Sequence, residues 1–173
     1  QIESYIGDDT VIVLHGARQV GKTYILLYIQ KWLEDRHKKV FYYDLEYPNL
    51  LRDLNLGVET FIADLAGKGY VSPEELYVLI DEIQYLDNPS SFLKIIADHH
   101  KNIHLIVSGS STFDIKSKFT DSLAGRTVPF EIYPLSFAEF LEFKETNIVL
   151  SKISSPTGIE QLTRWYREFV KFG

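Results

Sequence analysis

With 173 residues, 45% of them apolar and 24% charged, the chain has the length and balance of one globular domain. It contains no cysteine, which excludes a disulfide scaffold, Cys-ligated zinc, an iron–sulfur centre and a thiol nucleophile. The net charge of −6 is concentrated: residues 41–100 carry 11 Asp/Glu against 3 Lys/Arg, a sign that does not suit neutralisation of duplex phosphates.

No stretch reaches the ~18 apolar residues of a membrane span, and a cytoplasmic location fits the composition. Met is absent throughout and position 1 is Gln1, so the expectation is a segment of a longer protein.

In chain order, the β-branched run Val11–Leu14 predicts a buried strand, and a glycine-containing turn leads to a helix over Thr23–Asp35. A second strand is expected over Val40–Tyr43, ending on Asp44 and Glu46 and stopping at Pro48. Val58–Leu65 reads as helix. Leu76–Ile80 is a third apolar run that finishes on Asp81-Glu82. A helix over Pro89–His99 carries proline in its first turn. Strands follow at Ile103–Val107 and Thr127–Tyr133, then a short helix over Phe137–Glu145. Ser151–Gly158 reads as a linker, and Ile159, Leu162, Trp165, Tyr166, Phe169 and Val170 form an apolar stripe that requires a packing partner. Near-continuous apolar strands alternating with helices imply an α/β fold, a parallel sheet with helices on both faces. Residues 1–150 account for that core, and 151–173 begin a further region.

Gly16-Ala17-Arg18-Gln19-Val20-Gly21-Lys22-Thr23 matches G-x4-G-K-[ST] in full, between a strand and a helix. Glycines let successive backbone N–H groups turn into one concavity that binds phosphate oxygens, and the positive end of the next helix reinforces it. Tyr24 completes the candidate nucleotide-binding segment. Lys22 is placed to reach the β- and γ-phosphates, and Thr23 to offer its hydroxyl to Mg²⁺. Asp81 suits a hydrated Mg²⁺ held through water, and Glu82 suits orientation of an attacking water. Ser108 and Ser110 end the fourth strand, where either hydroxyl could meet the γ-phosphate or the water, or simply cap the next segment. Asp44 and Glu46 either face the site or lie on the surface. Arg126 either stabilises transition-state charge, in its own site or a neighbour's, or is an ion-paired surface residue.

Together with Leu79–Gln84 (LIDEIQ), Val107–Ser111 (VSGSS) and Leu123–Arg126 (LAGR) running into Tyr133–Phe140 (YPLSFAEF), these residues resemble the prokaryotic AAA-like P-loop ATPases. The resemblance is close to the archaeal ATPases and the STAND signalling group, and it covers residues ~10–141. It implies a P-loop NTPase fold with strand order 5-1-4-3-2, a preference for adenine, and Ser110 or Ser108 as the first sensor. It also implies a C-terminal domain beyond the ATPase module. The expected function is therefore Mg²⁺-dependent ATP hydrolysis that drives or switches that domain, with ATP and ADP as ligands. A nucleotide-controlled interaction switch with negligible turnover is the alternative. A small-molecule kinase is less favoured, because residues 111–130 hold only Arg126 where a lid would need an arginine cluster. A protein or DNA partner acting through the further domain stays open, as does the oligomeric state.

Overall fold

The computed structural model describes residues 2–110, 123, 125–146, 148 and 155–172. The chain divides into two compact units, residues 1–132 and 133–173.

The first unit opens with a 3-10 turn, Ile2–Tyr5, and is built on five strands: β1 (Val11–Gly16), β2 (Val40–Asp44), β3 (Leu76–Asp81), β4 (Ile103–Ser110) and β5 (Thr127–Ile132). They form one all-parallel sheet in the order β2-β3-β4-β1-β5, the expected order read from the other edge. Its helices are α1 (Lys22–Glu34), α2 (Pro48–Asn55), α3 (Val58–Gly67) and α4 (Pro89–His99).

Period-two alternation sorts the strand residues onto two faces. Ile12, Leu14, Tyr77, Leu79 and Ile106 point to one face, where Leu26, Ile29 and Leu33 of α1 cover them. Val11, Val13, Val78, Ile80, Leu105 and Val107 point to the other, against Leu54 of α2, Phe61 and Leu65 of α3, and Phe92, Leu93 and Ile96 of α4. A helix layer on each side explains why the central strands carry no polar alternation.

In the first unit, the second strand's exit departs from the sequence reading. Pro48, expected to end the second strand's excursion, instead opens α2. Proline is well placed at a first helical position because its missing N–H is not needed there, and Leu50, Leu51 and Leu54 give the short helix an apolar side on the core.

The second unit contains α5 (Phe137–Phe143) and α6 (Pro156–Phe172). Ser136 and Glu139 close a capping box at the start of α5, so the Pro-Leu-Ser-Phe-Ala-Glu run is a helix-start signal. Part of the expected linker is helix: the Ser155 hydroxyl accepts the Gly158 N–H at 3.1 Å, and Pro156 opens α6. Residues 151–154 lie outside the described residues. The apolar stripe has a partner in α5, with Phe137 against Tyr166 and Phe169, and Phe140 against Trp165 and Phe169. Among the described residues no helix is long and apolar enough to cross a membrane.

Candidate functional site

Parallel strands bring their carboxyl ends to one edge of the sheet, where ligands bind in open α/β folds. There Gly16 of β1 lies opposite Ser110 of β4 and Ile132 of β5, and Asp81 of β3 lies opposite Asp44 of β2.

The loop from Gly16 to α1 owes its path to its glycines. A Cβ on Gly16 would sit 2.2 Å from the Ile132 carbonyl oxygen, so the close approach of β5 admits no side chain there. Gly21 has φ +94°, and Gln19 adopts φ 65°, the left-handed turn that curls the backbone N–H groups inward. Lys22 is buried, and its ammonium lies across the loop, donating to the carbonyls of Gly16 at 3.1 Å and Ala17 at 2.7 Å. Ala17, Arg18 and Gln19 are exposed, Val20 and Gly21 half-buried, and Tyr24 projects into solvent at the base of α1.

Asp81 is the hub of the edge. Its Oδ2 accepts the Thr23 hydroxyl at 2.6 Å and the Tyr42 hydroxyl at 3.0 Å. Its Oδ1 accepts the Ser108 hydroxyl and the Glu82 N–H, the latter at 3.1 Å. Burial, with the Asp81 charge alongside, pushes the Tyr42 phenol well above its ordinary range, so it serves as a donor. Thr23 and Asp81 thus present two hard oxygen donors side by side. That set fits a Mg²⁺ ion which takes most of its shell from phosphates and water. No group of three or more His, Cys, Asp or Glu side chains able to hold a metal by itself occurs among the described residues.

Glu82 follows in the left-handed conformation, φ 57° and ψ 46°, which swings its side chain out of the strand direction. Its N–H also contacts the Ser108 hydroxyl at 3.1 Å. Ser108 is fully buried beneath Asp81, whereas the Ser110 backbone N–H meets the Gln84 carboxamide oxygen at 3.2 Å. Gln84 in turn donates to Glu82 Oε2. Asp44 caps its own turn by accepting the Glu46 N–H at 2.9 Å, and Glu46 is exposed.

Arg126 is not brought to this edge. The Val11 N–H donates to its carbonyl at 2.8 Å, and Thr127 pairs with Val11, which puts Arg126 at the amino-terminal edge. The length of β1, roughly 17 Å at 3.3 Å per residue, separates it from the loop. Its guanidinium pairs with Asp98 at 2.6 Å and holds that carboxyl below the usual range. A parallel strand starts at the end opposite its ligand edge, so a residue just before β5 cannot serve the loop of its own sheet. Tyr42 and Gln84 went unassigned in the sequence reading. Tyr42 follows from strand alternation once β2 is set beside β3, but Gln84 needs the tertiary neighbour Ser110.

A glycine loop with its lysine and threonine, facing an acidic strand end across a parallel sheet, defines a P-loop nucleotide-binding protein. More narrowly, the family model of the AAA domain matches residues 8–141, and the chain belongs to that family. It is a nucleotide-binding domain of the AAA type. An uncharacterized protein of Methanocaldococcus jannaschii is 32% identical over 174 residues, covering 99% of this chain and 37% of the relative. The chain spans 30–41% of the length of the curated relatives it matches. Among solved structures, AMPPCP-bound DnaA from Aquifex aeolicus aligns with a TM-score of 0.52 at 16% identity, covering 97% of this chain and 56% of that one. A chain of Drosophila ORC bound to DNA aligns at 0.54 and 14% identity, covering 78% and 89%. These likenesses establish the shared fold.

Proposed function

We propose that residues 1–150 form a Mg²⁺-dependent ATPase domain whose hydrolysis drives or switches a region that begins with residues 151–173 and extends into a C-terminal domain. The observation that carries this reading is the convergence of Thr23, Asp81, Ser108 and Glu82 beside the glycine loop. Family membership favours adenine, and relatives much longer than this chain favour a further domain.

On ATP binding, the Lys22 ammonium leaves the Gly16 and Ala17 carbonyls for the β- and γ-phosphates, and the loop N–H groups from Gly16 to Thr23 hold phosphate oxygens. Thr23 and Asp81 would hold Mg²⁺, which when bound neutralises charge on the phosphates. Glu82 orients a water whose oxygen bonds to the γ-phosphorus while the bond to the β–γ bridging oxygen breaks. The water proton passes toward the Glu82 carboxylate, and ADP and phosphate leave. Ser110, at the strand end, takes the sensor role, while Ser108 supports Asp81. A protein or DNA partner would act through the further domain, in a cytoplasmic setting.

Phosphate release by wild type and Glu82→Gln tests the chemistry: the variant should lose at least about 100-fold, as expected for a positioned base. Equal turnover would refute it. Lys22→Ala should abolish ATP binding, and normal binding would remove the site itself.

A second reading, a nucleotide-controlled switch with negligible turnover, is favoured by Ile159, Tyr166 and Val170, which stay exposed on α6. Hydrogen exchange over residues 156–172 with ADP and with a non-hydrolysable ATP analogue distinguishes it; identical protection would dispose of the switch.

A further inference from the structure

Glu82 can orient a water only if its own carboxylate is held, and its backbone does not hold it. The Glu82 N–H is fixed on Asp81 and Ser108, but the side chain leaves a left-handed residue at the mouth of the site. What holds the carboxylate is Gln84, in the 3-10 turn Ile83–Tyr85 that follows β3. The Gln84 amide nitrogen donates to Glu82 Oε2, and its amide oxygen accepts the Ser110 N–H at 3.2 Å. Ser110 is in turn paired across β4 and β1 with Gly16, the first residue of the glycine loop. One neutral side chain therefore bridges the carboxylate and the strand end that abuts the loop.

We propose that Gln84 is the positioning residue for Glu82, fixing one carboxylate oxygen so that the other is presented to water, in register with the end of β4. This rests on the ATPase reading given above.

The chemistry of the position accounts for the residue type. The bridge needs a donor toward Glu82 and an acceptor toward Ser110 at the same side-chain end, and a carboxamide supplies both. A glutamate would keep the acceptor and lose the donor. A methionine would keep the length and lose both. An arginine would supply donors only, and would add a charge beside Asp81 and the phosphates.

The test measures phosphate release against ATP concentration for wild type, Glu82→Gln, Gln84→Ala and Gln84→Glu, with ATP binding measured on each. Both Gln84 variants should lower kcat about tenfold, the scale of one hydrogen bond to a charged group, with KM for ATP within twofold. Loss in kcat alone separates positioning from a general disturbance of the loop, which would raise KM. Gln84→Glu has the shape of the native residue and decides the matter if Gln84→Ala does not fold. If Glu82→Gln is inactive while a folded Gln84 variant keeps kcat within twofold of wild type, or raises only KM, the positioning role is overturned and the ATPase reading stands. If wild type releases no phosphate, or Glu82→Gln matches it, the ATPase reading fails and the positioning role with it.

Discussion

Replacing Gly16 by alanine tests whether the close approach of β5 fixes the glycine at the head of the loop. The added Cβ would lie 2.2 Å from the Ile132 carbonyl oxygen, 3.1 Å from its carbon and 3.2 Å from Val20 Cγ2. Two of these three atoms are backbone of a hydrogen-bonded neighbour, so no rotamer change relieves the contact. To reach even 3.0 Å, β1 and β5 must separate by about 0.8 Å at this end. Overpacking of that kind costs roughly 1–3 kcal/mol, and weakening one ladder hydrogen bond adds about 1 kcal/mol, for roughly 2–4 kcal/mol in all. For a unit of this size that is a fall in Tm of roughly 6–12 °C, read by circular dichroism on the intact chain. ATP affinity should fall with it, because the first loop N–H groups move with β1. Gly21→Ala is the control: nothing lies within 4 Å of its Cβ, so only the φ of +94° is penalised and the melting change should be smaller. A Gly16→Ala protein melting within 1 °C of wild type would refute the steric argument.

Asp81→Asn should raise the Mg²⁺ concentration for half-maximal phosphate release at least about tenfold, since a neutral amide replaces the charged acceptor of Thr23; an unchanged Mg²⁺ titration would contradict the metal assignment. Arg126→Ala should leave kcat within twofold and change urea unfolding little, as for a solvent-screened ion pair. A tenfold fall in kcat would return Arg126 to the chemistry. Burial, followed by its hydrogen bond and charge contact with Asp64, raises the phenol of Tyr43 above the ordinary value of 10.0. The folded state then holds that proton more tightly than the unfolded chain. Its contribution is complete below pH 10 and is lost as pH rises from there toward the folded value, at about 1.4 kcal/mol per pH unit. Tyr43→Phe should flatten that alkaline limb in urea unfolding between pH 9 and 11, and an identical slope would contradict the assignment.

The parts of the site legible in the sequence are those whose chemistry is local. The loop is one contiguous octapeptide, and Asp81-Glu82 announces itself by ending an apolar run, because a buried carboxylate needs polar partners and a strand end is where the core gives way to them. The hub around Asp81 is only half legible: Thr23 and Ser108 end up on it through chain crossings that a strand order predicts, whereas the Gln84 bridge depends on the pitch of one 3-10 turn. Arg126 was open in the sequence between a role in the chemistry and an ion-paired surface position. The direction of a parallel strand sends the residue before β5 to the edge away from its own loop, where Arg126 pairs with Asp98. Pro48 was ambiguous for a different reason, since proline both stops strands and starts helices, and only the core contacts of Leu50, Leu51 and Leu54 decide between them.

Under the role proposed for Glu82, its left-handed backbone sets stability and chemistry against each other at a single position. A non-glycine residue at φ 57° gives up on the order of 1 kcal/mol relative to glycine, and asparagine also tolerates that region. A library randomised at position 82 and sorted on melting temperature alone should therefore drift toward Gly and Asn. The same library sorted on phosphate release should return glutamate, so the disagreement between the two screens would record how much folding stability this protein gives up to keep that carboxylate.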